Sequence, residues 1–134
     1  MSAVKIIRSL LVAEATVTAL VPATRIMAGA LPQGTAVPAL AITEVSRYDR
    51  QVLKAGAYSR ATSRVQVTCF ATSYPAQKQL LTAVRHACRD MVGTVASVPG
   101  VVVHLDGTGP DFNDLDTGFY MQSQDFKVSY TEPT

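Results

Sequence analysis

The segment Thr117-Gly118-Phe119-Tyr120-Met121-Gln122-Ser123-Gln124-Asp125-Phe126-Lys127-Val128-Ser129-Tyr130 reads as one long aromatic strand that runs almost to the end of the sequence. A strand of that length is stable only when paired, so the chain must supply a partner upstream. The best candidate is Ala61 to Ala71, where Val65, Val67, Cys69 and Ala71 alternate with Arg64, Gln66, Thr68 and Phe70 at the period of a half-buried strand. A helix and a Gly-rich turn separate the two. Any fold for this chain has to bring together strands that lie far apart in sequence.

The remaining periodicities fill in the layout. Val4, Ile7, Leu10, Leu11 and Ala15 recur at three and four, with Lys5, Arg8 and Ser9 opposite, which predicts a helix from about Ser2 to Val12. Glu14 to Val21 continues as a second short helical segment that Pro22 stops. Arg25 to Ala30 is a short strand, followed by the turn Leu31-Pro32-Gln33-Gly34 and by Pro38. Ala39 to Tyr48 alternates and is rich in β-formers, so it is a strand, and Asp49 to Ser59 is a long hairpin loop leading to the next one. Ser73 can cap a helix in which Pro75 occupies the first turn. Ala76, Leu80, Ala83, Val84, Ala87, Cys88 and Met91 form its apolar stripe, and Gly93 ends it. Val101 to Leu105 is a strand, and Gly107 to Asp116 is a polar loop before the final strand. The sum is an α+β fold: a mostly antiparallel sheet of about four or five strands with helices packed on one face.

A chain of 134 residues with no repeat, low-complexity tract or composition break is read as one domain, 1–134. Hydrophobic residues make up 48% and charged ones 16%, which excludes intrinsic disorder. The N-terminal helix carries charge throughout, so it is neither a signal peptide nor a membrane span, and an intracellular origin follows. Cys69 and Cys88 are then two reduced, buried thiols, one on a strand and one on a helix. The net charge of +2 is too small to argue for nucleic-acid binding, yet its distribution is lopsided. Arg47, Arg50, Lys54, Arg60 and Arg64 crowd one stretch, whereas Asp106, Asp111, Asp114, Asp116, Asp125 and Glu132 populate the last third. A two-signed surface of this kind favours head-to-tail contacts between copies.

Little in the chain resembles chemistry. His104 and Asp106 lie two apart on a strand and share a face, but no nucleophile motif accompanies them. His86 and Cys88 point in nearly opposite directions on a helix and do not clamp a metal. Asp111, Asp114 and Asp116 lack the glycine and distal glutamate of a calcium loop. Gly107-Thr108-Gly109 follows no strand-to-helix turn and has no lysine after it, so it is no phosphate cradle. Neither an enzyme nor a cofactor or metal site is expected. The basic hairpin, with Arg47, Arg50, Lys54 and Arg60, is either a solvated tip or, repeated around a ring, a surface facing a phosphate backbone or an acidic partner.

The order of elements, together with Pro32-Gln33-Gly34 and Pro38, Arg64-Val65-Gln66-Val67 leading to Ala71-Thr72-Ser73-Tyr74-Pro75-Ala76, and Asp116-Thr117-Gly118-Phe119-Tyr120 leading to Asp125-Phe126-Lys127-Val128, resembles the tail completion or tail terminator proteins of long-tailed bacteriophages. That resemblance implies a virion structural protein at the head-proximal end of the tail, assembled in the host cytoplasm. It implies a hexameric ring that caps the tail tube, meets tube protein on one side and the head connector or neck on the other, and passes DNA through its centre. On this reading Arg47, Arg50, Lys54 and Arg60 line the lumen or a partner contact, and Asp114 and Asp116 with the last strand form a partner surface. The rival readings are a head-closure or neck protein, a small intracellular binding module or enzyme built on His104 and Asp106, and a nucleic-acid binder whose affinity falls steeply with salt.

Overall fold

The computed structural model describes residues 2–32, 34–50 and 58–133. Helix α1 (Ser2–Ala13) turns Ala3, Val4, Ile6, Ile7 and Leu11 into the core and leaves Lys5 exposed, as its period dictates. The second helix, α2 (Ala15–Thr18), is shorter than the stretch from Glu14 to Val21 that the sequence suggests. Its Thr16, Val17 and Thr18 are β-branched, and the Thr18 hydroxyl donates back to the carbonyls of Glu14 and Ala15 at 3.3 Å, which competes with regular helix. A 3-10 turn (Ala23–Arg25) then leads to strand β1 (Ile26–Ala28). Arg8 of α1 fixes that corner by donating to the carbonyls of Ile26 at 3.0 Å and Ala23 at 3.3 Å.

Strands β2 (Ala39–Arg50) and β3 (Tyr58–Ala71) follow. Both extend into the predicted Asp49 to Ser59 loop, whose remainder lies outside the described residues. Helix α3 (Tyr74–Cys88) starts as expected: the Ser73 hydroxyl accepts from the Ala76 amide at 3.3 Å, and Pro75 sits in the first turn. It ends at Cys88 and not at Gly93, because Arg89 is extended and Asp90 has a φ of 56°. The backbone freed by that early stop forms β4 (Val92–Val95), which turns into β5 (Val98–Thr108). The expected polar loop contains a two-residue strand, β6 (Phe112–Asn113), and β7 (Tyr120–Pro133) closes the sheet, starting three residues later than predicted.

The sheet therefore has seven strands where the sequence suggested four or five, and β4 and β6 account for the difference. Its order is β1-β2-β3-β7-β5-β4, with β6 paired to β7; among the described residues only β1 and β2 run parallel. The long last strand is central, pairing with β3 along fourteen residues from Tyr58↔Pro133 to Ala71↔Tyr120. Alternation then sets the two faces. Ala61, Val65, Val67 and Cys69 of β3 and Phe126, Val128 and Tyr130 of β7 are buried beneath α1 and α3, in one core with Ile6, Leu11, Leu80 and Val84. The opposite face carries Thr62, Arg64, Gln66 and Thr68 against Ser129, Lys127, Asp125 and Ser123, and has no helix over it among the described residues. Hydroxyl pairs bridge its strands, Thr62 to Ser129 at 3.0 Å and Thr68 to Ser123 at 3.1 Å.

A bulge between Glu44 and Ser46 reverses the alternation of β2. Beyond it Arg47 falls on the helix side, its guanidinium 5.9 Å from the centre of the Tyr130 ring, while Tyr48 moves to the open face and is 66% exposed.

Candidate functional site

The basic stretch does not form one free patch. Arg47 donates from Nε and Nη2 to Asp49 Oδ1 at 3.1 and 2.9 Å. Arg60 donates to the carbonyl of Gly100 and to Thr131 Oγ1 at 3.2 Å, which ties β3 to the start of β5 and to β7. Gly100 suits that position: its φ is +66°, and a Cβ would meet Arg60 Nη1 at 2.9 Å and Thr131 Oγ1 at 3.0 Å, so a side chain there would displace the guanidinium. Arg50 is the register partner of Arg60 on the last described rung of the β2–β3 hairpin. The Arg50 side chain and the whole of Lys54 lie outside the described residues.

The acidic loop, by contrast, is built onto the sheet. Asp111 accepts from Lys78 Nζ at 2.7 Å and from the Tyr74 hydroxyl at 2.8 Å, so the start of α3 holds the loop. Lys78 also donates to Gln122 Oε1 at 2.7 Å, and Gln122 Nε2 donates to the Gly109 carbonyl at 2.8 Å. The hydrogen bonds from Lys78 and then Tyr74 hold the Asp111 carboxyl below its ordinary range; the bond that Lys78 donates to Asp111 raises Lys78 in turn. Asp114 shapes the turn, its Oδ1 accepting from the Asp116 amide at 3.0 Å and its carbonyl accepting from Gly118. Asp114 and Asp116 flank Leu115, which is 93% exposed, and Phe112 and Tyr74 are exposed beside them.

The pair His104 and Asp106 is separated by its partners. His104 is exposed and registered against Lys127. Asp106 lies 3.4 Å from Arg64, and Arg64 is bound mainly to Asp125, a contact that includes a 2.9 Å bond from Nε and that raises the guanidinium pKa. This cluster on the open face joins residues about sixty apart, a pairing that no local pattern reveals. The recess between α2 and α3 is lined by Thr16, Leu20, Gln79 and Thr82, and its one titratable side chain is His86. Cys69 and Cys88 are buried and unpaired, and burial pushes Cys88 up to about 12 and Cys69 upward as well, which leaves both unreactive. Among the described residues no three of His, Cys, Asp and Glu converge to hold a metal.

What remains as candidate sites are surfaces, and the comparisons with known proteins point the same way. The family model of the tail completion protein gp17 matches residues 5–130. The chain belongs to that family. It is a bacteriophage tail completion protein, a structural component of the virion. A solved structure described as the virion of a native gene transfer agent particle contains a chain of the same fold, with a TM-score of 0.67 at 13% identity, covering 94% of this chain and 92% of that one. No curated protein sequence matches. No helix among the described residues is long and apolar enough to cross a membrane.

For a tail completion protein the sites of interest are interfaces. The loop end of the sheet, with Tyr74, Phe112, Leu115 and Asp116, escaped the sequence reading apart from its acids. The signal that could have found it was Phe112 and Leu115, two large apolar residues inside a segment otherwise polar.

Proposed function

We propose that this protein forms a ring that caps the tail tube and joins the tail to the head connector, with DNA passing through its centre. The observation that carries the reading is the family match, which spans residues 5–130. The basic hairpin with Arg47, Arg50, Lys54 and Arg60 faces the lumen or an acidic partner. Since Arg47 and Arg60 also brace the hairpin internally, Arg50 and Lys54 are the two whose charge is the better probe of that role. The loop end is the axial docking surface: Leu115 and Phe112 supply the desolvated centre of a contact, and Asp114 and Asp116 its polar rim.

The test is the mass of the purified protein by light scattering, alone and with tail tubes, for the native chain and for Arg50→Glu with Lys54→Glu. The native protein is expected to give a closed ring, alone or on the tube end, and to fix tube length. The charge-reversed protein is expected to fold and to fail in joining. A monomer indifferent to tubes overturns the ring reading, and joined, infectious particles from the charge-reversed protein overturn the role of the hairpin.

A further inference from the structure

The two borders of the sheet are stepped, and the steps match. On one border β1 registers only with Leu40, Ala41 and Ile42, so β2 from Thr43 to Arg50 has no neighbouring strand outside it among the described residues. On the other border β4 registers with β5 only between Val98 and Val102, so β5 from His104 to Thr108 has no neighbouring strand outside it among the described residues. Following the register across the sheet, Val92 of β4 shares a rung with Val102, Ser129, Thr62 and Tyr48. The bare half of β2 thus lies towards one end of the sheet and the bare half of β5 towards the other.

A bare sheet border is a template for another strand, and soluble proteins shield such borders with charge or proline. Here Glu44, Arg47 and Asp49 supply some of that charge on β2, yet large apolar side chains stand exposed among them and on β4. Val92 on β4 is 70% exposed, and Val45 and Tyr48 on the bare stretch of β2 are 51% and 66% exposed. Among the described residues these are three of six exposed large hydrophobic side chains, and the other three are at the loop end. Val92 and Tyr48 share the helix-free face, by register with Val102 and Thr62. Beside the tip of β1, Val4, Ala28 and Ile42 floor a recess of about 410 Å³ that opens along Thr43 and Glu44. The β4 hairpin is itself held at the expense of backbone strain, with Ala96 and Ser97 both left-handed at φ 52° and 67°.

We infer that copies of this chain join sheet border to sheet border, with β4 of one copy laid along the bare half of β2 of the next, so that Val92 packs against the Val45 to Tyr48 stretch. This joint rests on the ring reading and specifies its interface. Strand directions permit it: β4 runs the same way as β2 and pairs with it parallel, while β1 meets the neighbour's β5 antiparallel. The two short strands then occupy one column between copies. In a flat arrangement the rungs of Thr43 to Arg47 would stay open between them, and a stagger of up to about five residues closes that gap, of the kind that any closing sheet requires. The joint is heterologous, each copy offering different borders to its two neighbours, which is the arrangement that builds rings.

The experiment introduces Val92→Cys together with Tyr48→Cys, or with Val45→Cys, and treats the protein with a short bis-maleimide at a concentration where light scattering detects rings, on tubes if necessary. Cys69 and Cys88 are buried, and the native chain reports their background. Either double variant is expected to give a ladder of linked species on a denaturing gel, while each single variant gives none. Val92→Lys is expected to shift the ring to monomer while leaving the circular dichroism spectrum of the fold unchanged. Rings that form without a ladder overturn the joint and leave the ring reading standing. Linked pairs from the single Val92→Cys variant indicate a symmetric contact and overturn it, as does a ring undisturbed by Val92→Lys. Absence of any ring in the native protein, with or without tubes, removes the ring reading and the joint with it.

Discussion

The centre of this protein carries polar atoms that find no partner. Tyr130 is fully buried on β7 and its hydroxyl makes no hydrogen bond among the described residues, and the same holds for the Ser63 hydroxyl on β3. A buried hydroxyl left unpaired costs about 1–3 kcal/mol. Tyr130→Phe is therefore expected to leave the protein as stable or to raise its stability by about 1 kcal/mol in urea unfolding; a loss of that size would mean that the hydroxyl has a partner. Arg64 and Asp125 teach a complementary lesson. Asp125 is nearly buried on a face where its strand neighbours are Ser, Lys and Gln, and only the guanidinium of Arg64, with Asp106 near it, makes that position tenable for a carboxylate. Each of these residues looks like an ordinary surface charge in its own strand. Their pairing arises from the β3↔β7 register, which periodicity within a strand cannot reveal.

At the scale of elements, signals that are local in sequence were legible and those that are not were missed. The amphipathic spacing of α1, the Ser73 cap with Pro75, and the alternation of β2, β3, β5 and β7 all mark elements that are present. The β4 to β5 hairpin was invisible because its two-residue turn is Ala96-Ser97, where left-handed backbone ordinarily calls for Asn-Gly. Placing Asn at 96 and Gly at 97 is expected to stabilise the protein by about 1–2 kcal/mol, since left-handed backbone costs that much at a non-glycine residue. An unchanged unfolding midpoint would show that the turn is not strained. The loop after β5 offers a pH-dependent counterpart. Asp111 is held below its ordinary 3.8 by Lys78 and Tyr74, so its tether is complete above that value and is lost as pH falls through the lower folded value. Acid should weaken the native protein more steeply below about pH 4 than Asp111→Asn, which has no carboxylate to protonate. Parallel acid unfolding curves for the two would mean that the tether contributes nothing.

For the whole molecule, the decisive fact is that the last strand is the middle one. β7 pairs with β3 on one side and β5 on the other, so the sheet stays in two parts until the end of the chain is placed. The β4, β5 and β7 meander is close in sequence, whereas β3 and β7 are brought together across a separation of about sixty residues, and loop-closure entropy opposes that pairing until its contacts form. Folding on the millisecond-to-second scale follows from such non-local pairing. Val128 is fully buried on β7 opposite Ser63 of β3 and Val103 of β5, so it belongs to both halves of the sheet. Val128→Ala removes two methyl groups and should lower stability by about 1.5–3 kcal/mol. If docking of β7 between the halves is the barrier, most of that loss appears as slower folding in a chevron plot. A loss confined to faster unfolding would instead place the closure of β3 on β7 after the barrier, with the meander alone as the nucleus.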